Sequence, residues 1–384
     1  MKLLRDAAVR RGDRWIFSAG FNVGRDLRST GRVDAEVEDL RLLSDAGARV
    51  AVLSHQGTHG SADDLDHVAH HLAGRLGREV AYVPDNIGAE AERRANAMAP
   101  GEITVFGNTR FHAGEQRDDP HLARAFARLG DAVAVGGFSK AHRSHASSTG
   151  VLRHLPGYLA GSIARELDLL APWAGEADRR SVAVLGGVKK EKTLVGLATF
   201  RDTYDIVVPG GAVLVAVLRA LGLPVGASER GEDPEGCITA ARDVLTRPGR
   251  ARLHVPERLV VAKNGRTESV AVDAVPDGWA VVDFELAPWL SDELTDLART
   301  GGRAFIAGTP CLHAEGHQAA STALLTRLSA TGVDALLLGG DTVAELPWDG
   351  PASTGGGSAL HYLAHGTCPV LDALRAQHPP ENAT

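Results

Sequence analysis

A chain of 384 residues, 44% apolar and 23% charged, is long enough for two ordinary domains with a core in each. Its formal net charge of −7 offers no basic excess, which speaks against a nucleic-acid binder. Three scattered cysteines, Cys237, Cys311 and Cys368, argue against a disulfide framework, and no apolar run reaches membrane-spanning length, so a cytoplasmic protein with no membrane partner is expected.

In chain order, "RWIFSAGFNV" reads as a strand and "AEVEDLRLLSDAG" as an amphipathic helix closed by Gly47. "ARVAVLSHQG" is a buried strand opening into a polar loop. Helix "LDHVAHHLAGRLG", strand "REVAYVPD", helix "AEAERRANAM" and strand-to-loop "GEITVFGNTRFHAG" follow, then helix "DPHLARAFARLG" and strand-to-loop "DAVAVGGFSKAHR". Pro156–Trp173 reads as one long helix joining two domains. The alternation restarts at "SVAVLGGVKKEKTLVGLATF" and "YDIVVPGGAVLVAVLRALG". It continues through "RLVVAKN", "GWAVVDF", "GRAFIAG" and "VDALLLGGDTVAEL", and "STGGGSALHYLAHG" adds a glycine turn and a last helix. Continuous apolar strands separated by helices predict an α/β fold of two Rossmann-like, doubly wound parallel sheets. The expected divisions are 1–155, a connecting helix at 156–173, a second lobe at 174–350, and a segment 351–384 packing back toward the first lobe.

Ligands of such sheets sit at the carboxyl ends of the strands. There the first half collects Asn22, His55, Arg110 and Arg143, and the second half collects Lys189, the Gly186-Gly187 and Gly210-Gly211 pairs, and Asp341. "AHRSHASSTG" (141–150) concentrates His142, Arg143 and His145. Zinc is one reading of two histidines three apart, but no carboxylate or thiol accompanies them and arginine repels a cation. A solvated loop is the plain reading; an anion held by guanidinium forks is the functional one. In the second half the glycines allow close approach of a nucleotide, Lys189 offers a mobile charge, and Asp341 suits Mg²⁺. Close strand–helix packing explains any single glycine pair equally well. No Walker loop is present.

These motifs, in this order and over essentially the whole chain, resemble the phosphoglycerate kinase family. "AGFNVG" is similar to the family's "VDFNVP", "SHQGTHG" to "SHLGRP", "GNTRFHAGEQ" to "ENxRFxxGEE", and "AHRSHASS" to "AHRAHAS". "GGVK" is similar to "GGAK", "LGGDT" to "GGGDT" and "STGGGS" to "STGGGA", and "PDGW" is shared. The resemblance implies a bilobed hinged fold, usually monomeric, with a small carboxylic acid on the N-terminal lobe and Mg²⁺-ATP on the C-terminal lobe. The γ-phosphoryl would pass to the carboxylate to form an acyl phosphate. It places Arg32 as the catalytic arginine, with Lys189 steadying the phosphoryl group and Gly355 and Gly356 in the turn beside it. Asn22, His55, Arg110 and Arg143 fall in the acid site, with Thr58 and Lys140 at substituted positions. Gly186, Gly187, Gly210, Gly211, Gly340 and Thr342 line the nucleotide. Lys192 and Thr193 replace a family pattern whose second lysine would fall on Thr193; Glu315 stands near the position of a nucleotide-contacting glutamate. Asp341 is the expected Mg²⁺ ligand.

Departures cluster at the ligands. The family's aspartate before "FNV" is Gly20, an arginine of its phosphate clamp is Thr58, and "WNGPMGxFE" has become "IAGTPCLHAE". From these changes the first expectation is a related kinase acting in a specialised pathway on an acid other than 3-phosphoglycerate, such as one carrying a phosphate or phosphonate. The ordinary glycolytic enzyme and a non-catalytic nucleotide-binding relative are the alternatives.

Overall fold

The structure, a computed structural model, describes residues 1–176, 178–330 and 332–377. The chain folds into two compact units: Met1–Asp168 with the described part of the segment from Thr367, and Leu169–Gly366.

The first unit is built on six parallel strands, β1 (Arg14–Ser18), β2 (Arg49–Ser54), β3 (Val80–Val83), β4 (Ile103–Asn108), β5 (Ala132–Val135) and β6 (Gly157–Leu159), ordered β3-β4-β2-β1-β5-β6. Its central strands are buried almost end to end, which is why they read as unbroken apolar runs. The helix Val37–Asp45 turns Val37, Leu40 and Leu43 onto the sheet, packing with Phe17 and Val52 in the core. Each such side chain contributes about 1.5–3 kcal/mol by leaving water. From β1 the chain moves to β2 on one side, while β5 joins on the other. That reversal puts the topological switch point of the sheet at the carboxyl ends of β1 and β5, where sheets of this kind gather their ligand-binding residues.

The second unit repeats the plan with β7 (Ser181–Leu185), β8 (Ile206–Pro209), β9 (Arg252–Leu253), β13 (Arg303–Ala307), β14 (Asp334–Leu338) and β15 (Ala352–Ser353). They run parallel in the order β15-β14-β13-β7-β8-β9. Val184, Val208, Leu214, Ile306 and Leu337 belong to its core.

Two expectations are corrected. "RLVVAKN" and "GWAVVDF" do not extend the parallel alternation. They form β10 (Arg258–Lys263) and β12 (Ala280–Phe284) of a separate antiparallel sheet with β11 (Arg266–Ala271). Asn264 and Gly265, at φ +50° and +75°, make the two-residue hairpin turn that no parallel connection would use. The second concerns Pro156–Trp173. Its first residues form β6 at the sheet edge, where the Pro156 carbonyl accepts from Val133 N and Gly157 lies opposite Val133. The helix proper is Gly161–Leu170. Its first amides, Gly161 N and Ser162 N, donate to the buried Asp39 carboxylate at 2.9 and 3.0 Å, so the capping charge comes from a remote helix.

Candidate active site

In the first unit, the strand ends bring together a cluster of positive charge with few counter-ions. Arg110, just past β4, is 3% exposed; its backbone N–H is held by Asn108 Oδ1 at 2.9 Å and its carbonyl meets His59 Nδ1 at 3.0 Å. Its Nε is buried with no hydrogen-bond partner, and burial lowers its pKa. Lys140, also 3% exposed, donates from Nζ to Ser18 Oγ at 2.7 Å, and Ser18 Oγ donates on to the Ser147 carbonyl at 2.5 Å. Burial brings this ammonium down to about 8, against the raising influence of Glu115 and Glu36. Lys140 is therefore an interior cation bridging β1 to the segment after His145.

His55, at the end of β2, is buried, and burial with the charges of Lys140, Arg110, His145 and Arg32 holds its pKa well below the usual imidazole range. His145 is pushed to about 3 by burial and then by Arg110, Lys140 and Arg143; its Nδ1 has no partner. The two rings meet edge to face, centroids 6.4 Å apart. Both are neutral at pH 7 and serve as dipoles rather than charges. Arg32 and Arg143 are exposed, and Arg143 Nε donates to His142 Nε2 at 3.0 Å. A buried guanidinium with an unsatisfied N–H, with the exposed Arg143 acting on it, is suited to an anion.

Asn22 and Thr58 are exposed and engaged in the loop after β2: Asn22 Oδ1 accepts from Gly57 N at 3.0 Å, and Thr58 Oγ1 lies 2.9 Å from Ser61 Oγ. At Gly20 the backbone itself is packed. A Cβ there would lie 3.0 Å from Gly137 Cα, and one on Gly137 (φ +73°) only 2.5 Å from Gly20 N. The loops after β1 and β5 touch main chain to main chain.

Besides Asp39, the buried carboxylates Glu115 and Glu36 of this unit are not apparent from the sequence. Glu115 is fully buried and accepts from Thr109 Oγ1 (3.2 Å), Ser147 N (3.0 Å) and Ser147 Oγ (2.5 Å). Glu36 accepts from Gly137 N and Ser162 Oγ, both at 2.7 Å, and burial raises its pKa to about 7. A signal for Glu36 existed: it lies four and seven residues before Leu40 and Leu43, on the same helical stripe. Because the folded pKa of Glu36 lies above its unfolded value, the native state binds the extra proton between about pH 4.5 and 7. Stability from this group is then greatest below that window and declines as pH rises through it. Glu36→Gln is expected to remove that decline, measured as the difference in urea midpoint from wild type at pH 5 and at pH 7.

In the second unit, Gly186-Gly187 follow β7, Gly210-Gly211 follow β8, and Gly308 follows β13. The amides of the two pairs are already used. Gly186 N donates to Ala307 O, Gly187 N to Thr309 O, Gly210 N to Leu185 O and Gly211 N to Pro310 O, all at 2.8–2.9 Å. Cβ atoms on Gly186 and Gly210 would sit 2.3 and 2.5 Å from the Thr309 and Pro310 carbonyl oxygens. These glycines permit close backbone packing at the strand ends rather than presenting free donors.

Lys189 Nζ meets Asp341 Oδ2 at 3.2 Å; the Asp341 side chain is 82% exposed. No cluster of three or more metal-ligating side chains occurs among the described residues. A single exposed carboxylate fits Mg²⁺ arriving with a nucleotide, since that ion is held mostly by phosphate oxygens and water. Gly340 opens the short helix Gly340–Glu345, and Thr342 is buried there, its Oγ1 accepting from Gly308 N at 3.0 Å. Lys192 begins the π-helical segment Lys192–Leu197 with its ammonium at the glycine turns, whereas Thr193 is buried beside the Cys237 thiol. Gly355 N donates to Ser353 Oγ at 3.0 Å, and Gly356, at φ +52°, caps the helix Gly357–His365. Glu315 closes an exposed turn, and its carboxylate makes no hydrogen bond or ion pair among the described residues.

The model of the phosphoglycerate kinase family matches residues 8–366. The phosphoglycerate kinase of Moorella thermoacetica is 31% identical over 374 residues, covering 93% of this chain and 94% of its own. That of Xanthobacter autotrophicus is 35% identical over 369 residues, covering 90% and 91%. Among solved structures, the phosphoglycerate kinases of Pyrococcus horikoshii and Coxiella burnetii superpose with TM-scores of 0.78 and 0.75, each at 22% identity. The first covers 98% of both chains, the second 97% of this chain and 98% of its own.

Proposed function

Because the chain belongs to the phosphoglycerate kinase family, a family of kinases with a carboxyl acceptor, we propose that it transfers the γ-phosphoryl of Mg²⁺-ATP to the carboxylate of 3-phosphoglycerate, reversibly. The match in family over nine-tenths or more of relatives bearing that name favours this acid over the specialised one expected from the substitutions. The observation that carries the chemistry is the division of charge. The first unit gathers Arg32, Arg110, Lys140 and Arg143 around neutral imidazoles, and the second pairs Lys189 with the exposed Asp341.

The residues divide the work accordingly. Arg110, a buried guanidinium with an unsatisfied Nε–H, and the exposed Arg143 would grip the anionic acid, and Arg32 would meet charge on the transferring group. A carboxylate is ionised at neutral pH, so no general base is needed, which agrees with imidazoles held neutral. Asp341 would hold the Mg²⁺ that accompanies the nucleotide, and that ion neutralises phosphate charge. Lys189, exchanged from its pairing with Asp341, would steady the phosphoryl group.

One observation favours a second reading. A Cβ on Gly20 would lie 3.0 Å from Gly137 Cα, tight against main chain, at a position where the resembled family carries an aspartate; an acid lacking the group that aspartate would bind is that second reading. Initial rates of ADP release with 3-phosphoglycerate, against a panel of other carboxylic acids, test both. Turnover of about 1–100 s⁻¹ with 3-phosphoglycerate supports the first; preference for another acid by kcat/KM replaces it with the second; acid-independent ADP release refutes both.

A further inference from the structure

Arg32 stands on a helix of a single turn, Gly31–Asp34, which has no side-chain cap at Thr30. A helix this short does not persist by itself, because forming a first turn is unfavourable. The loop leading to it is strained as well. Leu27 lies at φ +49°, a left-handed conformation that a leucine keeps only where its surroundings impose it. The path of this segment must be fixed from outside.

Helix Asp66–Leu76 makes the fixing contacts. Its Val68, Ala69, Leu72 and Leu76 are buried in the core, while His67, His71 and Arg75, at i, i+4 and i+8, line another face. His67 Nε2 donates to the Val23 carbonyl at 3.0 Å, and His71 Nε2 donates to Asp34 Oδ1 at 2.8 Å. Arg75 Nε meets the same Oδ1 at 2.9 Å. Earlier in the loop, Arg25 pairs with Asp63 at 2.8 Å and with Asp66, the first residue of the helix, at 3.0 Å. Asp34 also accepts from Thr30 Oγ1 at 2.8 Å, so it closes the turn around Arg32 and ties that turn to the helix. Against partial burial, the hydrogen bonds from His71 and Thr30 and the charge of Arg75 hold the Asp34 carboxyl below the usual carboxylate range.

We infer that Asp34 and His71 are positioning residues for Arg32, seating its one-turn helix on helix Asp66–Leu76 so that the guanidinium starts from a fixed backbone. The inference rests on the reading of Arg32 as the residue that meets charge on the transferring group. A misplaced group costs most in the transition state, where its geometry is most demanding.

Steady-state kinetics with 3-phosphoglycerate and Mg²⁺-ATP, alongside thermal melting, tests it on wild type, Asp34→Ala, Asp34→Asn and His71→Gln. Loss of the seat predicts kcat about 10–50-fold lower for Asp34→Ala, with KM for both substrates within about threefold. Asn keeps an acceptor and Gln a donor at the same points, so both conservative variants should retain at least about a third of wild-type kcat. Asp34→Asn also separates seating from charge, since it removes only the charge. Because the contacts are partly solvated, Tm should stay within about 3 °C of wild type throughout. Action through Arg32 has its own signature: adding Asp34→Ala to Arg32→Ala should slow the enzyme by no more than about twofold. A fall in kcat of less than about tenfold for Asp34→Ala, conservative variants below that third, or a larger loss in the double variant overturns the inference. So does a drop in Tm beyond that range with KM weakened for both substrates, the pattern of a general structural role. A wild type without acid-dependent turnover overturns the proposed reaction, and the inference with it.

Discussion

Lys189→Ala is expected to lower kcat by about 10²–10³-fold while leaving the unliganded protein as stable as wild type to within about 0.5 kcal/mol. The stability half follows from exposure. Lys189 and Asp341 are 59% and 82% exposed, and a solvated ion pair at 3.2 Å contributes little. The kinetic half follows from what phosphoryl transfer requires: a metaphosphate-like group loses its partners on both sides and is stabilised chiefly by fixed positive charge. Removing one positioned donor to such a charge costs on the order of 3–4 kcal/mol in the transition state. Steady-state kinetics with both substrates saturating, paired with ADP titration, checks both halves: Lys189→Ala should change turnover and leave ADP affinity within about threefold. A Lys189→Ala enzyme that retains more than a third of wild-type kcat would remove Lys189 from the reacting centre.

Glu115→Ala is expected to be the most destabilising single change in the first unit, about 3–5 kcal/mol. Its carboxylate is fully buried and accepts from Thr109 Oγ1, Ser147 N and Ser147 Oγ. It also raises the pKa of both Lys140 and Arg110, two interior cations with few other counter-charges. Truncation would strand three donors and leave those cations uncompensated, the case in which breaking a buried charged network costs most. Urea denaturation monitors the loss. If the stranded charge is the main cause, adding Lys140→Met should recover about 1–3 kcal/mol of it, a non-additivity expected of groups in one network. Strict additivity of the two changes would show that Glu115 acts only through its hydroxyl and amide partners.

The location of the candidate residues was legible because parallel α/β units have a rule of place. Asn22, His55, Arg110, Lys189 and Asp341 each stand just past an apolar run, and in the structure each lies at or just beyond a strand's carboxyl end. The antiparallel sheet was less legible, although Asn264-Gly265 is the short-range mark of a hairpin, because short apolar runs look alike whichever way they pair. The sequence pattern extends helix Gly161–Leu170 back to Pro156 for a similar reason: Gly157–Leu159 is apolar enough for either state, and only β5 beside it makes it a strand.

The chain's own periodicity determined two parallel α/β sheets and which polar residues gather at their strand ends, since a buried strand and its covering helices impose patterns only a few residues long. Which charges are drawn inside was decided by the tertiary structure. Lys140 reaches a hydroxyl 122 positions away at Ser18, Glu36 is roofed by Gly137 and Ser162, and Lys192 meets the bare backbone of Gly308. Desolvation is a property of everything that surrounds a group, and those surroundings come from strands distant in sequence. A lysine in a polar loop and a lysine in a crevice therefore read alike until the sheet is assembled.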